Sequence, residues 1–327
     1  MRKKRLMILL IVAVTSIFLS SQAFSAWTQP KGHSYNQLTL SYYKTVKKFT
    51  TIERDEDKRV TSTTARPYVD EQEEFTSTKL TYYGEYGITD TLTVTASIPY
   101  DWQRSNDTMK YAGEDGPSGI GDINIGLRHK LLDNLLGTGA LMSVEGTLKI
   151  PEAYDYGYPF TDLSLGLGQY DFTLALVFGK AFSKGYGVLN VGYMYAFENT
   201  EYDPVTFKPS DQIKVTLVRE YPITPKLAVR GVLSWIRSVG NAEVSDELIN
   251  ASYEYGGVAS NGDAVIIKET LVLEPNDLNG GIALVVKINP KMQTVLSYNR
   301  DLAGAGIFST SNTGLGDNLG IAFVYMH

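Results

Sequence analysis

The chain has 327 residues, no cysteine, and 36 Asp and Glu against 30 Lys and Arg. The missing cysteines exclude disulfide staples, thiolate metal sites, thiol catalysis and a lipid anchor on an N-terminal Cys. The formal charge of −6 becomes roughly −10 without the four cations at positions 2–5, which makes nucleic acid a poor partner.

Those four cations, Arg2, Lys3, Lys4 and Arg5, open the chain. An apolar stretch over 6–19 and then small residues follow, the pattern of an export signal cleaved near 23–25. Residues 1–25 are therefore assigned to a signal peptide and 26–327 to one domain. No later run approaches the ~18 apolar residues of a membrane helix, but a spanning strand needs only ~9–11. The 22 tyrosines have an apolar body and a polar tip, which suits a membrane–water interface.

Twelve segments then read as strands: 34–44, 75–88, 91–102, 120–130, 140–150, 170–182, 187–197, 212–221, 226–237, 280–288, 292–301 and 318–326. The third is the clearest. Leu92, Val94, Ala96, Ile98, Tyr100 and Trp102 alternate with Thr91, Thr93, Thr95, Ser97 and Asp101, a period of two with one oily face. Connections alternate between short (89–90, 131–139, 183–186, 222–225, 289–290) and long (45–74, 103–119, 151–169, 198–211, 238–279, 302–317). Bacterial barrels have short periplasmic turns and long outer loops. The expected fold is therefore an all-β transmembrane antiparallel barrel of twelve strands, both termini in the periplasm. A hairpin hidden in 238–279 would make fourteen.

A Lys or Arg facing lipid at mid-membrane costs roughly 2–4 kcal/mol, so the polar faces must point inward. Parity then places Lys79, Glu85, Asp122, Arg128, Glu145, Lys149, Asp171, Lys214 and Arg230 in the lumen, with Lys287, Glu198 and Glu220. Six cations meet six anions, a lumen of no strong sign that either selects solutes or merely stiffens the wall. Arg219 and Arg237 share the oily parity and are expected to snorkel near strand ends. In the loop 151–169, Tyr154, Tyr156, Tyr158 and Phe160 either fold inward around apolar solutes or, the favoured reading, form an outer aromatic girdle. The first loop, with Glu53, Asp55, Glu56, Asp57, Asp70, Glu71, Glu73 and Glu74, reads as a solvated or lipopolysaccharide-facing segment without calcium-loop spacing.

A barrel lipase would need a His–Ser pair near the outer rim. The three histidines, His33, His129 and His327, fall at periplasmic positions, so no catalytic residue is assigned. The glycines of 119–126 and 314–320 lack the Lys-Ser/Thr of a phosphate loop and suit strand bends. No cofactor or metal is expected.

The blocks at 116–132, 148–182 and 188–197 resemble the outer-membrane family labelled for the MetA pathway of phenol degradation, over about 83–327. The motif positions are Gly119, Gly121 and Asp122; Lys149 and Pro151; and Gly166, Gly168 and Asp171. The resemblance implies a transporter-like barrel admitting aromatic or other apolar compounds. The sequence departs from it where Pro151-Glu152-Ala153 replaces a Pro-Thr-Gly, and where His327 replaces the terminal aromatic of the assembly signal. The function expected is a channel for small solutes, with membrane lipid, lipopolysaccharide and the barrel-assembly machinery as partners. The alternatives are a non-conducting barrel that scaffolds a periplasmic, secreted or electron-carrying protein and, more weakly, a lipid-modifying enzyme.

Overall fold

The computed structural model describes residues 26–54, 60–105, 116–159, 164–256 and 264–327. The expected leader, Phe160, and Asp55, Glu56 and Asp57 lie outside the described residues. In chain order the strands are β1 (Ser34–Arg54), β2 (Val60–Thr89), β3 (Leu92–Ser105), β4 (Ser118–Ile120), β5 (Ile123–Leu132), β6 (Ala140–Ile150), β7 (Asp171–Ala181) and β8 (Tyr186–Ala196). They continue with β9 (Asn199–Tyr202), β10 (Val205–Lys208), β11 (Asp211–Thr224), β12 (Leu227–Val239) and β13 (Glu243–Val244). Two helices, α1 (Asp246–Gly256) and α2 (Ala264–Thr270), precede β14 (Asp277–Asn289), β15 (Met292–Leu302) and β16 (Thr313–Met326).

Twelve of these strands form a closed antiparallel barrel in the order β1, β2, β3, β5, β6, β7, β8, β11, β12, β14, β15, β16. The first and last are sealed to each other from Tyr35↔Met326 to Phe49↔Thr313. Closure leaves no edge, which is what a sheet in hydrocarbon requires. The wall follows the twelve alternating segments because their faces sort by polarity. On β7, Phe172, Leu174 and Leu176 are 43, 53 and 42% exposed, whereas Ala175 and Val177 are 6 and 2%. A surface so apolar on the outside fits lipid.

Among the described residues, the connection 238–279 holds β13 and the two helices and adds no hairpin to the wall, and the barrel count stays at twelve. The first connection is also shorter than expected. β1 and β2 run past it as a long hairpin with register shifts at Thr45/Lys47 and Thr50/Ile52, so Glu53 and Asp70–Glu74 are strand residues. Beyond the wall β1 buries Lys48, Phe49, Thr50 and Ile52, and the register shifts interrupt the period of two, so the alternation that marks a spanning strand breaks.

Both ends of the barrel are covered. At the long-loop end, β9, β10 and β13 form a small sheet. It packs with α1, α2 and the β6–β7 loop around Tyr156, Leu167, Phe207, Leu248, Ile267 and Leu271. Glu269 of α2 ties this cap to β1, accepting from the Thr50 hydroxyl and from Thr51 N at 3.1 Å. At the short-turn end, residues 26–30 turn into the barrel. Ala26 is fully buried against Leu141, Val177, Val188 and Val218. The chain approaches so closely that a Cβ on Gly87 would lie 2.1 Å from Pro30 O, and one on Gly179 would lie 2.5 Å from Ala26 Cβ.

Candidate functional site

Strand register builds the interior. Lys79 lies opposite Asp101, Arg128 opposite Glu145, Lys149 opposite Asp171, and Arg230 opposite Glu220, each pair on neighbouring strands and on the inner face. Cross-strand neighbours on one face are about 5 Å apart, which lets each cation meet its anion without spanning the lumen. The contacts are 3.3 Å for Lys79–Asp101, 2.6 Å for Arg128–Glu145, 2.6 Å for Lys149–Asp171 and 2.8 Å for Arg230–Glu220.

Two of these pairs grow into clusters. Arg128 also meets Glu85 at 2.9 Å, and Glu85 accepts from Tyr83 OH at 2.7 Å and from Gln29 Nε2 at 2.6 Å. Arg128 Nη1 further donates to Trp27 O at 3.4 Å, so the wall cation holds the inserted N-terminal segment. Lys149 meets Asp122 at 3.6 Å, and Tyr154 OH donates to Asp122 Oδ1 at 2.7 Å. Burial, with Asp122 beside it, pushes the Tyr154 phenol above its ordinary range, so it stays a donor. Gly168, at φ +72°, donates its N–H to Tyr154 OH at 3.2 Å. A Cβ on Gly166 would lie 2.2 Å from that same oxygen. The three separated blocks Gly119–Asp122, Lys149–Pro151 and Gly166–Asp171 thus converge on one charged cluster. Their glycines are small because the β6–β7 loop is pressed against it.

Some of these groups line a cavity of about 190 Å³ inside the barrel. One side presents Lys79, Asp101, Asp122, Arg128 and Glu145; the other presents Ala175, Val177, Val188, Thr173 and Asn190. Lys214 lines it too, its Nζ 2.9 Å from Met194 Sδ. Leu165 enters from the loop above. The cavity can therefore hold an apolar body on one side and a polar or charged group on the other.

The aromatic loop does not form a girdle. Tyr156 is 5% exposed in the cap core, Tyr154 bonds Asp122, and Tyr158 stacks edge-on against Tyr202 with centroids 5.1 Å apart. Cap residues distant in sequence supply the apolar surface that draws these rings inward. Glu198 and Lys287 are exposed and stand outside the paired interior, the first in a loop and the second at the short-turn mouth. In their place the structure buries Asp101, Asp277 and Asp301, so the interior is more acidic than an even balance. Asp101 was legible as the inward residue opposite Lys79. Asp277 and Asp301 sit at strand ends where alternation gives out, and Gln29 precedes any periodic segment. His33, His129 and His327 are all exposed at the short-turn end, far from the long-loop rim.

No protein-family model matches the chain, and no curated protein matches it. Among solved structures, it is similar to an outer membrane channel of Pseudomonas putida F1. That match has 15% identity and a TM-score of 0.64, over 93% of this chain and 98% of the other. The chain is a transmembrane β-barrel of the outer-membrane type. Two further solved structures are more distant: the toluene transporter TodX of Pseudomonas putida (10% identity, TM-score 0.41, 99 and 96% covered) and the translocator domain of the autotransporter NalP of Neisseria meningitidis (11%, 0.45, 91 and 89%). At such identities the likeness speaks to fold, and the site has to speak for function.

Proposed function

We propose that the protein is a channel for passive passage of small solutes, aromatic and other apolar compounds among them. The observation that carries this reading is the two-sided interior cavity, with ion pairs on one wall and Ala175, Val177 and Val188 on the other. Ala175 borders the open space, and Val177 and Val188, which also pack on Ala26, continue that apolar wall down to the inserted segment. Passage needs no cofactor; the fixed charges and the width between walls set which solutes fit. Residues 26–30 obstruct the path at the periplasmic end and must move aside. The resemblance to the phenol-degradation family supports aromatic solutes as the class.

Its partners on this reading are membrane lipid, lipopolysaccharide around the long-loop rim, and the assembly machinery that recognises outward Phe323 and Tyr325 near the C-terminus.

Planar-bilayer recording tests the reading. Stepwise conductance is expected, with a shift in ion preference for Glu145→Lys, whose carboxylate faces the cavity. Liposome swelling should respond to small aromatic solutes more than to sugars of equal size. A silent barrel that retains no solute permeability would remove the proposal.

A further inference from the structure

The outer surface of β7, β8 and β11 carries a feature the interior does not explain. Along β11 the lipid-facing residues run Leu217, Arg219, Tyr221, Ile223, so Arg219 interrupts an apolar face with two apolar residues still below it. On β7 the outward series Phe172, Leu174, Leu176, Phe178 ends in Lys180. Register sets Lys180 opposite Gly187 of β8, and Gly187 opposite Arg219. Two cations therefore flank a glycine in a single row across three strands, roughly 10 Å from strand to strand but one. Phe182 lies over that glycine: a Cβ on Gly187 would meet its Cε2 at 3.1 Å. Both cations converge on this ring, Arg219 Cζ at 4.3 Å and Lys180 Nζ at 5.7 Å from its centroid. In the adjoining turn, Lys184 Nζ stands 5.9 Å over the Tyr221 ring.

Arg219 is held in place. Its Nη1 donates to Tyr186 O at 2.8 Å and Glu220 O at 2.9 Å, and its Nη2 to Lys184 O at 2.8 Å. A guanidinium has five N–H donors, so two remain for an external acceptor. Among the described residues no carboxylate pairs with Lys180, Lys184 or Arg219. Glu220, the acid adjacent in sequence, points into the barrel toward Arg230. The wider rim has the same sign, with Lys31, Lys226, Lys287 and Lys291 exposed near the short turns against Asp90 and Asp133.

A cation on the lipid face is costly unless it reaches headgroups or meets an anion there. We infer that Lys180, Arg219 and Phe182 form a docking site for the phosphate of an anionic phospholipid in the periplasm-facing leaflet. The phosphate bridges the two cations beside the ring, away from its electron-rich face, with Lys184 drawn to the headgroup's outer edge. The acyl chains lie along exposed Leu176 and Leu217 above. A free anion would have no use for that apolar continuation, which commits the site to lipid. The inference rests on the membrane placement of the barrel and not on solute passage.

Native mass spectrometry of the full chain, released from bilayers of equal phosphatidylglycerol and phosphatidylcholine, tests it. Wild-type protein should retain phosphatidylglycerol preferentially. Lys180→Gln/Arg219→Gln should lose that preference about five-fold or more, and Lys226→Gln, at a turn outside the cluster, should keep it. Heat-modifiable gel migration checks that each variant is folded, and Lys180→Gln alone serves if the double variant is not. Excess inorganic phosphate should leave the retained lipid in place. Equal retention of the two lipids, equal loss in the control, or displacement by inorganic phosphate would each overturn the site.

Discussion

The two ends of the barrel are covered by different physics. At the long-loop end the cover is a hydrophobic core: Leu248, Ile267, Leu271 and Leu273 are fully buried and Phe207 is 1% exposed. At the short-turn end it is the segment 26–30, with polar tethers to β2, β3, β5 and β6 and with Ala26 and Trp27 packed against β7, β8 and β11. It is held by Ser143 Oγ donating to Ala26 O (2.8 Å), Gln29 N to Thr93 Oγ1 (2.8 Å) and Gln29 Nε2 to Glu85 (2.6 Å). Burying a large apolar side chain is worth roughly 1.5–3 kcal/mol, so lifting the cap exposes a sum of such terms. Withdrawing the segment uncovers Ala26, part of Trp27 and the portions of Leu141, Val177, Val188 and Val218 beneath them, a smaller apolar area than the cap's, and breaks hydrogen bonds worth a net ~0.5–1.5 kcal/mol each, more at Glu85. Water replaces hydrogen bonds and does not replace apolar burial. The periplasmic segment is the part that yields.

The largest expected effect breaks this contrast by damaging the wall that both depend on. Arg128→Ala leaves Glu85 and Glu145 buried without their cation and removes the donor to Trp27 O. A loss of about 3–5 kcal/mol is expected, read as a lower urea midpoint for unfolding from vesicles. Phe207→Ala comes next, at about 3–5 kcal/mol within the cap. It should expose the cap to protease while heat-modifiable migration of the barrel is retained; simultaneous loss of both would show that cap and wall are a single unit. Tyr154→Phe is smaller, about 1–3 kcal/mol, because it strips one buried donor from Asp122. It should loosen the β6–β7 loop and shift ion preference without opening the periplasmic end. Smallest in stability, and most telling for the contrast, is Gln29→Ala. It costs about 1–2 kcal/mol at most and should raise channel open time several-fold.

The wall was readable because a spanning strand has to alternate: oily residues that face lipid and polar ones that face the lumen leave a period of two. Lys79, Glu85, Arg128 and Lys149 carry inward parity in that pattern, and register supplied their opposite charges. The pattern stops where register shifts interrupt it and β1 buries Lys48 and Thr50 beside Phe49, which hid the outer lengths of β1 and β2. It also cannot reveal contacts made without periodicity. Phe207, Leu248 and Leu271 come from separate connections, and nothing local marks them as one core. Residues 26–30 precede the first strand, and their fit shows only in the missing side chains of Gly87 and Gly179. Tyr156 was drawn inward by that same hidden core, where composition alone favoured a girdle.

The central claim is that the interior is a conduction path closed by the N-terminal segment. The chain has no cysteine, so Ala26→Cys/Gly179→Cys introduces a single thiol pair. A Cβ on Gly179 would lie 2.5 Å from that of Ala26, and an outward shift of about 1 Å reaches the ~3.5–4.5 Å of a disulfide. Single-channel recording under oxidising and then reducing conditions should show a closed barrel that opens when the bond is reduced. Equal conductance in both states, with the disulfide verified by mass, would contradict the claim.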